Sequence, residues 1–177
     1  MNNPFREDLV SRNLAEACSV VIFGATGDLT HRKLIPALYN LAIDGELPAG
    51  VKILGFARRD WSDEFFREGL KKLNRQFSRT GHDEEIWESL AANIEYHKSE
   101  FQDKDGYKRL SDRLDEIDRE RGGKGNRLFY IASAPEYFDD ILLNLKAAGL
   151  SQERLDCDGC WSRVIVEKPF GTTLETA

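Results

Sequence analysis

No uncharged apolar run in this sequence approaches the ~18 residues that a membrane-spanning helix needs, which excludes such a helix. An excess of positive charge is also missing. Lys and Arg number 25 against 31 Asp and Glu, a net charge of −6. Phosphate backbones are held chiefly by clustered Lys and Arg, so a generic nucleic-acid binder is excluded, while a local basic pocket is not. Metal-ligating residues are sparse: three histidines (His31, His82, His97) and three cysteines (Cys18, Cys157, Cys160). A structural zinc usually takes four ligands, and nothing supplies a second pair for Cys157-x-x-Cys160. A redox pair of the thioredoxin kind belongs near the first strand and helix, whereas this one precedes the last strand. The thiols therefore read as incidental, with no metal and no disulfide framework expected. Residues 1–17 form a polar extension of mixed charge, unlike a secretory signal.

What is present suits one well-filled core. The 177 residues are 41% hydrophobic and include ten Phe, five Tyr and three Trp, too many for disorder. The expectation is a soluble, cytosolic globular chain. Short apolar runs alternate with longer amphipathic stretches. Strands are predicted at Ser19–Phe23, Val51–Ala57, Ile94–Lys98, Arg127–Ala132 and Arg163–Val166. Helical periodicity predicts Ser62–Phe77, Asp83–Leu90 and a stripe of Tyr107, Leu110, Leu114 and Ile117. Pro36 is tolerated best in a first turn, so the first long helix is expected to start near Lys33. Ser133 and Glu136 have capping-box spacing around Pro135, ahead of a helix turning Phe138, Ile141, Leu142 and Leu145 inward. The alternation predicts an α/β, Rossmann-like doubly wound parallel sheet of five to six strands with helices on both faces. Such a sheet binds ligands at the carboxyl ends of its strands.

Three motifs stand at such ends. Gly24-Ala25-Thr26-Gly27-Asp28-Leu29-Thr30 follows the first strand. Glycines there let the backbone approach a pyrophosphate resting on the amides of the next helix; the bland alternative is a plain tight turn. After the second strand comes Arg58-Arg59, where NAD-specific domains carry an acidic residue for the ribose 2′-hydroxyl. Guanidinium groups pair with a phosphate dianion, so the charge points to NADP, with Thr26 a further donor to the 2′-phosphate; otherwise the pair is a solvated turn. After the last strand, Glu167-Lys168-Pro169 puts a lysine toward the crevice where nicotinamide and substrate would meet. Its X-Pro bond is a candidate cis peptide, or the motif is a surface turn with a paired lysine.

Phe23 to Leu29, Arg32 to Tyr39, Gly55 to Arg58, Leu128-Phe129-Tyr130 with Pro135, and Val166 to Gly171 together resemble the glucose-6-phosphate dehydrogenase family, in its order and spacing. The resemblance covers Ser19 to Thr173. It implies that 18–177 is the NADP-binding domain. Gly24, Thr26, Gly27, Asp28 and Leu29 would cradle the pyrophosphate, and Thr26 with Arg58 would hold the 2′-phosphate. Glu100 and Phe101 would line the adenosine side, and Ala134 with Pro135 would border the nicotinamide. Lys168 would contact cofactor and glucose 6-phosphate, with Pro169 cis, and Phe138 would stand where some members have a Tyr near the cofactor. It also implies that the family's R-I-D-H-Y-L-G-K-E motif, its histidine base and the C-terminal β+α domain that forms the homo-oligomer are absent here. The expectation is a cytoplasmic coenzyme domain that binds NADP without turnover.

Other readings remain. A short-chain dehydrogenase needs a Tyr with Lys four residues later, and Tyr39, Tyr96, Tyr107, Tyr130 and Tyr137 all lack it. A glucose–fructose-type oxidoreductase also ends its sheet in an EKP, though its coenzyme domain is typically shorter between the glycines and that motif. A free-standing NADP-binding or sensing module is the non-enzyme alternative.

Overall fold

The computed structural model describes residues 15–122, 125–152 and 159–168. Five parallel strands form one sheet in the order β3-β2-β1-β4-β5: β1 (Ser19–Phe23), β2 (Lys52–Ala57), β3 (Ile94–Lys98), β4 (Arg127–Ile131) and β5 (Ser162–Val166). The helices are α1 (Ile35–Ile43), α2 (Asp63–Phe77), α3 (Glu84–Ala91), α4 (Lys104–Arg121) and α5 (Phe138–Ala147). The expected fold class is the observed one.

The continuous apolar strands follow from burial on both faces. Along β1, Val20 and Ile22 pack with Ile53 and Ile94 beneath α1, α2 and α3, which contribute Tyr39, Phe66, Leu70, Trp87 and Leu90. Val21 and Phe23 turn the other way, joining Leu54, Phe56, Phe129 and Ile131 beneath α4 and α5. Helices following β1 and β2 thus cover one face, and those following β3 and β4 cover the other. The reversal between β1 and β4 is the topological switch point, above which such sheets hold ligands. No helix among the described residues is long and apolar enough to cross a membrane.

Four local expectations are corrected. The helix after β1 does not wait for Lys33: residues 28–29 are already helical and lead through a π turn, Thr30–Leu34, into α1. The Ile35 amide bonds to the Thr30 carbonyl. This wider turn eases the ring of Pro36, whose clash with a carbonyl four residues back would otherwise stop a helix. Ser133 is not a cap, for the residue before a proline is driven into extended backbone. Ala134 (φ −65°, ψ 149°) takes the N-cap position of a short 3-10 turn, Pro135–Tyr137, without a side-chain cap. Leu142 is 38% exposed, because the inward stripe of α5 runs through Asn144, whose amide donates to the Phe101 carbonyl at 2.9 Å. Finally, Cys160 is disulfide-bonded, against the reading of incidental thiols. Cys18 is free, and Cys157 lies outside the described residues.

Candidate functional site

A cleft of about 240 Å³ opens over the carboxyl ends of four strands. Gly24, Thr26 and Gly27 form its floor after β1, with Ala57 and Arg58 after β2. Ser99, Glu100 and Phe101 stand after β3, and Ala132, Ser133, Ala134 and Tyr137 after β4. Sheet order alone gathers them, since these loops are far apart in sequence.

The floor is tightly closed. Gly24 has φ +83°, and a Cβ there would lie 2.8 Å from the Ala132 carbonyl oxygen. A Cβ on Gly27 would lie 3.0 Å from the Gly24 carbonyl. That carbonyl accepts the Gly27 amide at 2.9 Å and the Thr30 hydroxyl at 3.2 Å. Thr30, standing in place of a third glycine, is buried and cross-links the turn. Among the described residues the Thr26 amide makes no backbone hydrogen bond, and the first amides of the following helix have no intrahelical acceptor. Such amides at a helix N-terminus suit an anion. The residues present therefore fit a dinucleotide's pyrophosphate.

The third wall is held from behind. Tyr107 donates to the Phe101 carbonyl at 3.0 Å, which also accepts from Asn144. Ser99 donates to the Asp103 carboxylate at 3.1 Å. Burial pushes the Tyr107 phenol well above its ordinary value, so it remains a donor.

Not every expected residue reaches the cleft. Arg58 lines it, while Arg59 lies 5.0 Å over the Trp61 ring. Its charge, after burial itself, holds the His31 imidazole below its usual range, with Asp28 opposing. The two adjacent arginines part at the bend that follows β2. Asp28 pairs with Arg32 at 2.6 Å on the outside of the helix. Leu29 and Pro135 do not line the cleft. Phe138 packs against the core under α5, and Tyr137 takes the cleft position instead. Lys168 is exposed beyond β5, outside this cleft. Its neighbour Glu167 accepts a hydrogen bond from Tyr130 of β4, and burial first, then that carboxylate, pushes Tyr130 up to about 12. Pro169 lies outside the described residues. Ser99, Ser133 and Tyr137 were not anticipated; only their place just past a strand end could have marked them.

Residues 21–177 match the family described as glucose-6-phosphate dehydrogenase, NAD binding domain. The chain belongs to that family. A glucose-6-phosphate 1-dehydrogenase of Chlamydia pneumoniae is 44% identical over 180 residues, spanning 100% of this chain and 35% of its own. The Chlamydia muridarum enzyme is 47% identical over 161 residues, 90% of this chain and 32% of its own. A solved glucose-6-phosphate dehydrogenase in complex with its substrate glucose-6-phosphate superposes with a TM-score of 0.79 at 33% identity, covering 92% of this chain and 32% of that one. The chain thus spans about a third of the length of the curated relatives it matches.

Proposed function

We propose that this chain is the coenzyme-binding part of an NADP-dependent glucose-6-phosphate dehydrogenase, with residues 18–177 forming the NADP domain. The observation that carries this reading is Arg58 in a cleft floored by Gly24, Thr26 and Gly27. The floor receives the pyrophosphate on the Thr26 amide and the helix start. Arg58 and the Thr26 hydroxyl take the adenosine 2′-phosphate, beside the wall of Glu100 and Phe101. Ala134 and Tyr137 border the nicotinamide, which when bound accepts hydride from C1 of the sugar. Lys168, past β5, would contact glucose 6-phosphate.

The reaction also needs a base within reach of the substrate hydroxyl. None of the three histidines lines the cleft. His31 sits in the π turn beside Arg59. The His82 ring stacks on Tyr39, centroids 6.0 Å apart. His97 bonds the Gly106 carbonyl at 2.9 Å, and burial lowers its pKa. The 177 residues by themselves accordingly bind NADP without turnover, and sugar oxidation and homo-oligomerisation belong to the longer family enzyme in the cytoplasm. Titration with NADP and NAD separately tests the reading: NADP binds tighter, and Arg58→Ala narrows the difference by about 1–3 kcal/mol, the range for hydrogen bonds to charged groups. Equal affinities in the unsubstituted chain overturn it, and dehydrogenase activity from this chain alone overturns the inactivity.

A further inference from the structure

The loop that presents Arg58 is wrapped around one side chain that never enters the cleft. Tyr96, the middle residue of β3, donates its one hydroxyl proton chiefly to the Arg59 carbonyl at 2.8 Å, with the Ala57 carbonyl a longer, shared acceptor at 3.2 Å that also takes the Ser99 amide at 3.0 Å. These are the carbonyls on either side of Arg58. At the far end of the same loop, Asp63 accepts the Tyr96 amide at 2.6 Å. The Tyr96 ring packs between Trp61 and Phe66, with centroids 5.9 and 5.0 Å away. Lys98, two residues along β3, pairs with Asp60 at 2.9 Å. The loop from Ala57 to Asp63 is thus tied to β3 on both sides of Arg58, chiefly through Tyr96.

We infer that Tyr96 is the positioning residue for NADP selectivity: its phenol holds the Arg59 carbonyl, one peptide past Arg58, and so sets the course of the loop that aims Arg58 into the cleft before any ligand arrives. This rests on the reading of Arg58 as the 2′-phosphate ligand. Burial holds the Tyr96 hydroxyl above its ordinary pKa, so it stays a donor at neutral pH. A guanidinium already aimed at the site loses less freedom on binding than one carried by a loose loop. Because the 2′-phosphate is the group that separates NADP from NAD, the effect falls on one cofactor and spares the other.

Tyr96→Phe keeps the ring and removes the shared hydrogen bond. Isothermal titration of the chain should show NADP affinity falling about three- to tenfold, the range for net loss of one hydrogen bond. NAD affinity should stay within about twofold. In an Arg58→Ala background the same substitution should leave NADP affinity unchanged, since the two residues act as one unit. An equal loss for both cofactors means a merely structural role and overturns the inference, as does an unchanged NADP-to-NAD ratio or an undiminished effect in the Arg58→Ala background. A parent that does not prefer NADP fails the underlying reading, and the inference falls with it. Should Tyr96→Phe not fold, amide exchange on the unsubstituted chain decides. The Trp61 amide, bonded to the Arg59 carbonyl at 3.1 Å, should be protected without ligand, and exchange at the rate of open chain overturns the inference.

Discussion

The first and last strands carry nearly the same apolar text, SVVIF and SRVIV, and end in different surroundings. Every residue of β1 is buried, with β2 and β4 beside it and helices over both faces. β5 pairs with β4 and leaves Val164 37% and Ile165 40% exposed. Residue type made both segments strands; position in the sheet decided which became core. The strand closest to the switch point is thereby the most constrained, and the glycine turn that floors the cleft grows directly out of it.

The sharpest way to break this comparison is truncation at both places. Phe23 is fully buried, with ring centroids 4.8 Å from Phe56 and 5.9 Å from Tyr107. Phe23→Ala should lower the unfolding free energy by about 3–5 kcal/mol, the range for emptying an aromatic site. Ile165→Ala should cost under about 1 kcal/mol, as a partly exposed position does. Denaturant unfolding of the two variants gives both numbers, and similar losses would mean that β5 is as integral as β1.

The two described edges of the sheet differ in the same sense. β3 is bound down by charge: Glu95 takes a bidentate pair from Arg113 at 2.8 and 2.9 Å, and Lys52 approaches at 3.1 Å. Arg113, more than Lys52, holds the Glu95 carboxyl down at about 2 against the opposing effect of burial. A folded-state value below the unfolded one stabilises fully above the unfolded value, and the contribution fades as pH falls toward the folded one. Stability should therefore drop by roughly 2 kcal/mol between about pH 4.5 and 2 through this group. In Glu95→Gln that part of the acid dependence should vanish; an unaltered profile would show that the β3 edge is not held by this pair.

Between stability and binding stands Gly24. Its positive φ and the 2.8 Å approach to Ala132 leave no room for a side chain. Gly24→Ala should cost about 1–3 kcal/mol of strain and weaken both cofactors alike, which separates it from Tyr96→Phe. Loss confined to NADP would place the floor's role at the 2′-phosphate instead.

How far the sequence reached follows the same line. Strands written as continuous β-branched runs were legible to within a residue or so at their ends, because periodicity and burial agree there. Misreadings arose where a backbone group needed a partner that the pattern does not display. Asn144 turned α5 so that its amide could meet the Phe101 carbonyl, and Leu142 went outward. Pro36 points to a helix start near Lys33, and the π turn through Thr30 lets the helix pass it from further back. Gly24, Thr26, Gly27 and Arg58, expected from their place past a strand end, line the cleft, as do Glu100, Phe101 and Ala134, expected only from the family resemblance. Tyr137 displaced Phe138 because the short turn at Pro135 shifts the helix start by a few residues.

Arg58 and Arg59 offer the smallest and most discriminating test, since nothing in their composition separates them. One lines the cleft; the other lies against Trp61 and beside His31. If position decides, Arg59→Ala should change NADP affinity by less than about twofold, far below the effect at Arg58. Its cost should appear in stability, at about 0.5–1 kcal/mol for a lost exposed cation–π contact. Thermal unfolding and calorimetric titration of the single variants read the two quantities independently. A loss of NADP affinity at Arg59 to match that at Arg58 would show that the guanidinium leaves the indole when the 2′-phosphate binds, making Trp61 a resting place for a second phosphate ligand.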